Sequence, residues 1–222
     1  PENPATILVI GDSLSNGFGT FLKLRAEQLD LNARVINQGK SSSGLTRGDF
    51  YDWPTSFEGF AAQHKPDIVV AHFGANDMQT IISSTGRVRF GSSGWEAAYR
   101  AKIQEILDIA ERSDASVYWF GPGPDSHTNL HNHLQYLNPI FEEEVRSRRG
   151  RFVAINDFAS GPGGAYITKV PIDGVQTKIR TADGSHFTSK GYFLVVDKLL
   201  AAMRRDVPDL FGIQPDIAVA LQ

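Results

Sequence analysis

The sequence predicts an α/β fold, a three-layer α/β/α sandwich around one parallel sheet of five strands. Two observations predict it. Five short, apolar, β-branched runs recur along the chain, with helix-period stretches between them; strands alternating with helices build a parallel sheet covered on both faces. The composition agrees, since 222 residues with 41% hydrophobic and 21% charged describe a globular chain able to bury a sizeable core. We read residues 1–222 as one domain, with no internal repeat, low-complexity tract or linker.

Residues 5–10 form the first strand, and residues 18–30 carry Phe21, Leu22, Leu24 and Leu29 at helical spacing. Residues 33–36 are the second strand and 37–48 a Gly/Ser loop. Residues 50–63 make a helix that Pro54 can open in its first turn. "DIVVAHF", residues 67–73, is the third strand, and 74–94 reads as a long functional loop. Trp95, Tyr99, Ile103, Ile106 and Ala110 share one face of a helix over 95–112. Residues 116–120 are the fourth strand. A helix over 138–149 is punctuated by Asn138 as cap, Pro139 in first position and Gly150 as stop. Residues 151–155 are the fifth strand, 161–180 contain a small hairpin around Asp173-Gly174, and 188–203 are the last helix. From Asp206 to residue 222 the chain reads as a surface tail.

In such a sheet, ligands bind beyond the carboxyl ends of the strands. Ser13 lies beyond the first strand, Ser42 and Gly44 beyond the second, Asn76 and Asp77 beyond the third. A serine nucleophile there needs a base, an orienter for the base and donors for an oxyanion. Among six histidines, His72 sits within a strand and reads as core, whereas His186 lies in "TADGSHFTSKGY". Asp183 precedes His186 by three residues, a spacing that lets a carboxylate fold back onto one imidazole nitrogen. A plain turn opening a helix fits that segment equally well. Asn76, at a strand end, offers an amide N–H to an oxyanion or an Asx-turn to its own backbone.

Taken together, "GDSLS" (Gly11 to Ser15), "GAND" (Gly74 to Asp77) and "DGSH" (Asp183 to His186) resemble three blocks of the SGNH/GDSL hydrolase superfamily, in order and across nearly the whole chain. The resemblance implies a flavodoxin-like sheet of strand order 2-1-3-4-5 and a Ser13–His186–Asp183 triad. It also implies an oxyanion hole made by the Ser13 amide, a backbone amide of the second block and the Asn76 side chain. The second block departs from the pattern. Five positions after Asn37 stands Ser42 rather than glycine, with Gly44 two residues on; spacing favours the Ser42 amide, with Gly44 as rival. The stretch "NQGKSSSGLTRGDFYDWP" is similar to one bacterial branch of the superfamily, a domain of unknown function with many exported members.

Asp12, Arg47, Trp53, Asp77, His127 and Arg180 are the further candidates for lining a substrate cleft, with Asp12 also shaping the loop around Ser13. Arg180 suits either an acidic substrate group or an acid of the chain such as Asp49. His127, His131 and His133 lie in a polar loop without evident acidic partners and read as solvated, with no metal or cofactor expected. The chain lacks the Gly-x-Ser-x-Gly nucleophile elbow and the glycine fingerprint for dinucleotides.

A net charge of −3 without a basic block argues against nucleic acid as a partner. No apolar run is long enough to span a bilayer. The first residue is Pro1, read as a trimmed start, so that a leader or membrane anchor is possible outside this chain. With no cysteine, thiolate catalysis and disulfides are excluded. The resulting expectation is a periplasmic or secreted esterase acting on small acyl esters of carbohydrate or cell-envelope polymer. An O-acyltransferase and a non-catalytic envelope-binding module are the alternatives.

Overall fold

The structure is a computed structural model and describes residues 3–208. Five strands form the main sheet: β1 (Ala5–Gly11), β2 (Ala33–Asn37), β3 (Ile68–His72), β6 (Ser116–Gly121) and β7 (Arg151–Ala154). Two hairpins lie outside it, β4 (Ile81–Ser83) with β5 (Gly86–Val88), and β8 (Lys169–Ile172) with β9 (Val175–Lys178). All pairings in the main sheet are parallel, in the order β2-β1-β3-β6-β7. Counted within the sheet, that is the expected arrangement; the labels shift because β4 and β5 intervene.

The alternation of side chains along each strand divides the core into two layers. Ile7 and Val9 of β1 face one side and Leu8 and Ile10 the other. The first side is covered by α1 (Ser13–Gln28) and α6 (Ser189–Asp206) through Phe18, Leu22, Val195 and Leu199. The second is covered by α2 (Trp53–His64), α3 (Trp95–Arg112) and α4 (Thr128–Ser147) through Phe57, Tyr99, Ile103, Leu137 and Phe141. A one-turn helix, α5 (Asn156–Ala159), follows β7.

Several elements differ from the sequence expectation, each for a physical reason. Helix α1 begins at Ser13, not at residue 18, because the Asp12 carboxylate caps it by accepting from the amides of Leu14 and Ser15. Helix α4 begins at Thr128, so Asn138-Pro139 is interior and not a start. Pro139 forfeits one helical hydrogen bond, but its ring lies on the exposed face while Leu134, Leu137, Ile140 and Phe141 stay on the core side. The expected loop 74–94 contains the β4–β5 hairpin, with Ile81 buried. The hairpin at Asp173-Gly174 is present, both residues having positive φ (51° and 77°), as a tight two-residue connection between twisted strands requires. Asp206 is not tail: it ends α6, and its carboxylate accepts from Arg151 at 2.5 and 2.8 Å. The remainder of the expected tail, 209–222, lies outside the described residues. Among the described residues, no helix is long and apolar enough to cross a membrane.

Helices α1 and α6 approach closely because Gly17 has no side chain where the Tyr192 ring lies. A Cβ at residue 17 would fall 2.3 Å from that ring. Tyr192 also stacks on Phe21 at 5.0 Å, and Arg25 clasps Asp197 at 2.7 Å. Two effects oppose each other in Gly17→Ala. Helix propensity gains about 1 kcal/mol, while overpacking costs about 1–3 kcal/mol. We expect the clash to dominate, with Gly17→Ala less stable by about 1–2 kcal/mol in urea unfolding. A stabilised variant would show that the helices part freely.

Candidate active site

The serine is presented by a junction that only glycine permits. Gly11 ends β1 with φ 126°, and a Cβ there would lie 1.8 Å from the His72 carbonyl oxygen. The chain can therefore pass tightly beside β3, where the Asp12 amide donates to that carbonyl at 3.2 Å. Asp12 is fully buried; its Oδ1 also accepts from His72 Nδ1–H at 3.0 Å. Ser13, the first residue of α1, is thus held half-buried at the positive end of a 16-residue helix.

The candidate base, His186, comes from the opposite end of the chain. Thr181 and His186 close a turn, Thr181 N–H to His186 O at 3.0 Å, with Gly184 at φ 77° inside it. Asp183 folds back as the spacing allows. Its Oδ2 accepts from His186 Nδ1–H at 2.7 Å, and its Oδ1 accepts from the amides of Ser185 and His186 at 3.0 Å each. The Thr181 hydroxyl, donating at 2.6 Å, is the largest influence holding the Asp183 carboxyl well below the usual carboxylate range. Because a carboxylate only accepts, it fixes the proton on Nδ1 and leaves Nε2 as acceptor. Nε2 lies 2.8 Å from Ser13 Oγ, across 173 residues of sequence.

The candidate oxyanion donors sit on two loops stitched together. Asn76 Nδ2 donates one N–H to Ser43 O at 2.9 Å, leaving its second N–H unspent among the described residues. The amides of Ser13, Ser42 and Gly44 make no hydrogen bond among the described residues, whereas that of Ser43 goes to Lys40 O. Gly44 rests against Asp77, whose Oδ1 would be 2.2 Å from a Cβ there. Ser42 is exposed and has φ 63°.

Of the side chains expected at a substrate, Asp12, Asp77 and Trp53 are buried and act behind the loops instead. Asp77 accepts from the Thr46 amide and hydroxyl at 3.0 Å and from Tyr99 OH at 2.8 Å. Trp53 Nε1–H donates to Ser43 Oγ at 2.9 Å. Arg180 is also buried, and its partner is not Asp49, which pairs with Arg47 at 2.7 Å. Its guanidinium donates to Ser185 O at 2.7 Å and lies 3.9 Å over the Phe187 ring, bracing the His186 turn from behind; burial lowers its pKa to about 10. Arg47 and His127 remain at the surface.

Sequence reasoning missed Asp125. It is buried, accepts from His127 Nδ1–H at 2.8 Å and from the Ser185 hydroxyl, and so ties the start of α4 to the His186 turn. Gly184 is the legible counterpart, since a Cβ there would overlap Ser126 at 1.7 Å. His127, His131 and His133 diverge: His127 sits at the N-cap of α4, His131 Nδ1 accepts from the Asp125 amide at 3.4 Å, and His133 is buried among aromatic rings. Among the described residues, no group of three His, Cys, Asp or Glu side chains could hold a metal ion.

The fold is that of the GDSL and SGNH hydrolases. A GDSL-like lipase from Bacteroides thetaiotaomicron is 16% identical, with TM-score 0.65 over 91% of this chain and 89% of that one. An inhibitor-bound aryl esterase of M. smegmatis is 17% identical, with TM-score 0.64 over 91% and 99%. The psychrotrophic esterase EstA of Pseudoalteromonas sp., inhibited by monoethylphosphonate, is 13% identical, with TM-score 0.60 over 92% and 99%. The chain belongs to the family described as "Protein of unknown function (DUF459)", whose model matches residues 6–202. No curated protein matches this sequence significantly.

Asp77 gives a pH prediction. Desolvation outweighs its three hydrogen bonds and raises its pKa from 3.8 to about 6. A raised folded pKa favours the protonated form. Its contribution is therefore full below about pH 4 and is lost as pH rises through about 6, a change on the order of 3 kcal/mol. Asp77→Asn carries no such titration. The stability of wild type relative to Asp77→Asn, from urea unfolding, should fall by that order between about pH 4 and 7. A pH-independent difference would refute the assignment.

Proposed function

We propose that the chain hydrolyses small acyl esters through a covalent acyl-serine intermediate. The observation that carries this reading is the unbroken Ser13 Oγ–His186–Asp183 relay at 2.8 and 2.7 Å. Ser13 Oγ attacks the ester carbonyl as its proton passes to His186 Nε2, and the carbonyl π electrons move onto oxygen. Asp183 stabilises the imidazolium so formed. The oxyanion is met by the Ser13 amide, the free N–H of Asn76 and an amide of the Ser42–Gly44 turn, donors set in place before charge develops. Collapse breaks the ester C–O bond, and the alcohol leaves with the proton from Nε2. Water then gives its proton to Nε2, adds to the acyl carbon and releases the carboxylic acid, restoring Ser13. The comparison esterases, one of them phosphonate-inhibited, support the reading through shared fold. The absence of a long apolar lid in the sequence supports a small acyl group.

Two experiments test it. With a short-chain chromogenic ester, Ser13→Ala should lose nearly all turnover and keep its thermal midpoint. Asp183→Asn should lose on the order of 10⁴ in kcat, because an amide N–H opposite Nδ1 disfavours the required tautomer. Near-wild-type turnover in either variant would exclude the relay.

Asn76→Ala should cost on the order of 10²–10³ in kcat with little change in KM, since its donor meets charge only in the transition state. Proline cannot probe the third donor, because φ 63° at Ser42 excludes it whatever that amide does. Instead, in ¹⁵N-labelled protein phosphonylated at Ser13, the amide of Ser42 or of Gly44 should move downfield together with that of Ser13. If neither moves, the turn supplies no donor.

A further inference from the structure

Beside the oxyanion loops lies an open cleft of about 400 Å³, lined by Met78, Phe90, Asn129, Asn132, His133 and Tyr136. Its position follows from the chain. Met78 is two residues past Asn76, and Gly74 packs on Leu134 and Leu137 of α4. The other end of α4 reaches Ser185 through Asp125, next to His186. The stripe of α4 at positions 129, 132, 133 and 136 therefore forms a wall running away from the Ser13 site.

The chemistry of the lining is unusual for a protein surface. Three large apolar side chains stand open to solvent, Met78, Phe90 and Tyr136 being 41%, 38% and 43% exposed. Their rings are held in place. Phe90 meets Trp95 edge-on at 5.2 Å and His133 at 5.4 Å, and Tyr136 OH donates to Glu96 at 2.7 Å. His133 is only 6% exposed, yet its ring makes no hydrogen bond among the described residues, and Nε2 is buried without a partner. The side chains of Asn129 and Asn132 are likewise unspent among the described residues. No Asp, Glu, Lys or Arg lines the cleft.

We propose that this cleft holds the alcohol side of the ester as a neutral sugar ring, stacked on Phe90 and Tyr136 and hydrogen-bonded by Asn129, Asn132 and His133. The inference rests on the hydrolase reading and deepens it. A sugar ring has an apolar C–H face, whose positive hydrogens suit the negative face of an aromatic ring, and a rim of hydroxyls. An acyl chain in the same place would cover three polar side chains without pairing them, at a cost of about 1–3 kcal/mol for each. An ionic group would find no counter-charge in the lining, and Glu96 behind Tyr136 is already paired with Arg100. Burial lowers the pKa of His133 to about 4, so near neutral pH its imidazole stays uncharged; with Nε2 buried, Nδ1 is the ring atom left to pair with a hydroxyl.

The test uses the full chain and two readouts. Saturation-transfer NMR is run with the methyl glycosides of glucose, xylose and N-acetylglucosamine. At least one should bind wild type, and its signal should be lost in Phe90→Ala and in His133→Phe. His133→Phe removes an unpaired buried nitrogen from an aromatic cluster, so its thermal midpoint should not fall below that of wild type. That separates a lost ligand from a lost fold. The second readout compares kcat/KM for the acetate ester of the best-binding glycoside with that for ethyl acetate. The ratio should fall on the order of tenfold in Phe90→Ala, Asn132→Ala and His133→Phe. No saturation transfer to any glycoside, or an unchanged ratio, overturns the proposal. So does a selective loss of ethyl hexanoate over ethyl acetate hydrolysis, which would make the cleft an acyl-chain site. If wild type cleaves no ester, the hydrolase reading fails, and the NMR arm still decides whether the cleft takes a sugar.

Discussion

The hydrogen bond between Ser13 Oγ and His186 Nε2 joins residues 173 apart, and most of the architecture serves to keep that distance at 2.8 Å. Ser13 starts α1, and His186 stands three residues before α6. The packing of those two helices therefore sets how Ser13 meets His186. Gly17 lets the Tyr192 ring come close, Phe18 and Leu22 bury against Val195 and Leu199, and Arg25 with Asp197 fixes the sliding register. A parallel sheet makes the arrangement possible, because it gathers the carboxyl ends of all its strands, and the loops that follow them, along one edge.

Around that bond, three buried carboxylates each tie one strand-end loop to another element. Asp12 after β1 caps α1 and takes a hydrogen from His72 of β3. Asp77 after β3 takes hydrogens from Thr46 of the β2 loop and Tyr99 of α3. Asp125 after β6 takes hydrogens from His127 and Ser185. A buried carboxylate is costly unless it is hydrogen-bonded, so each one favours the loop geometry that pairs it, although Asp12 Oδ2 keeps no partner among the described residues. This is how loops rather than rigid strands hold Ser13, His186 and Asn76 in fixed positions on one edge.

The cleft beyond Asn76 shows the opposite condition. There Asn129, Asn132 and His133 keep their hydrogen-bonding capacity unspent among the described residues, next to aromatic faces held open to solvent. Within one edge of the sheet, most polar side chains around Ser13 and His186 are hydrogen-bonded, whereas Asn129 and Asn132 are exposed with theirs unspent among the described residues. That contrast underlies the proposed sugar site.

The sequence by itself determined the alternation of strands and helices, the helix over Trp95–Arg112, the Asp173-Gly174 hairpin, the placing of Ser13 and Asn76 on one edge and the fold-back of Asp183 that its spacing from His186 allows. These depend on local periodicity, turn chemistry and short spacings, which a linear pattern records. It misplaced the start of α4, because Asn138-Pro139 has the form of a helix cap, and only burial of the apolar stripe before it shows the helix already under way. It put Asp12, Asp77 and Trp53 at the substrate because they neighbour the motifs, and sequence adjacency does not say which way a side chain points. It offered Arg180 either an acidic substrate group or an acid of the chain, whereas the buried guanidinium finds a carbonyl and an aromatic face. Asp125 escaped notice because its partner Ser185 lies 60 residues away. Long-range pairing is decided by which loops the folded sheet brings together, and only the tertiary structure carries that information.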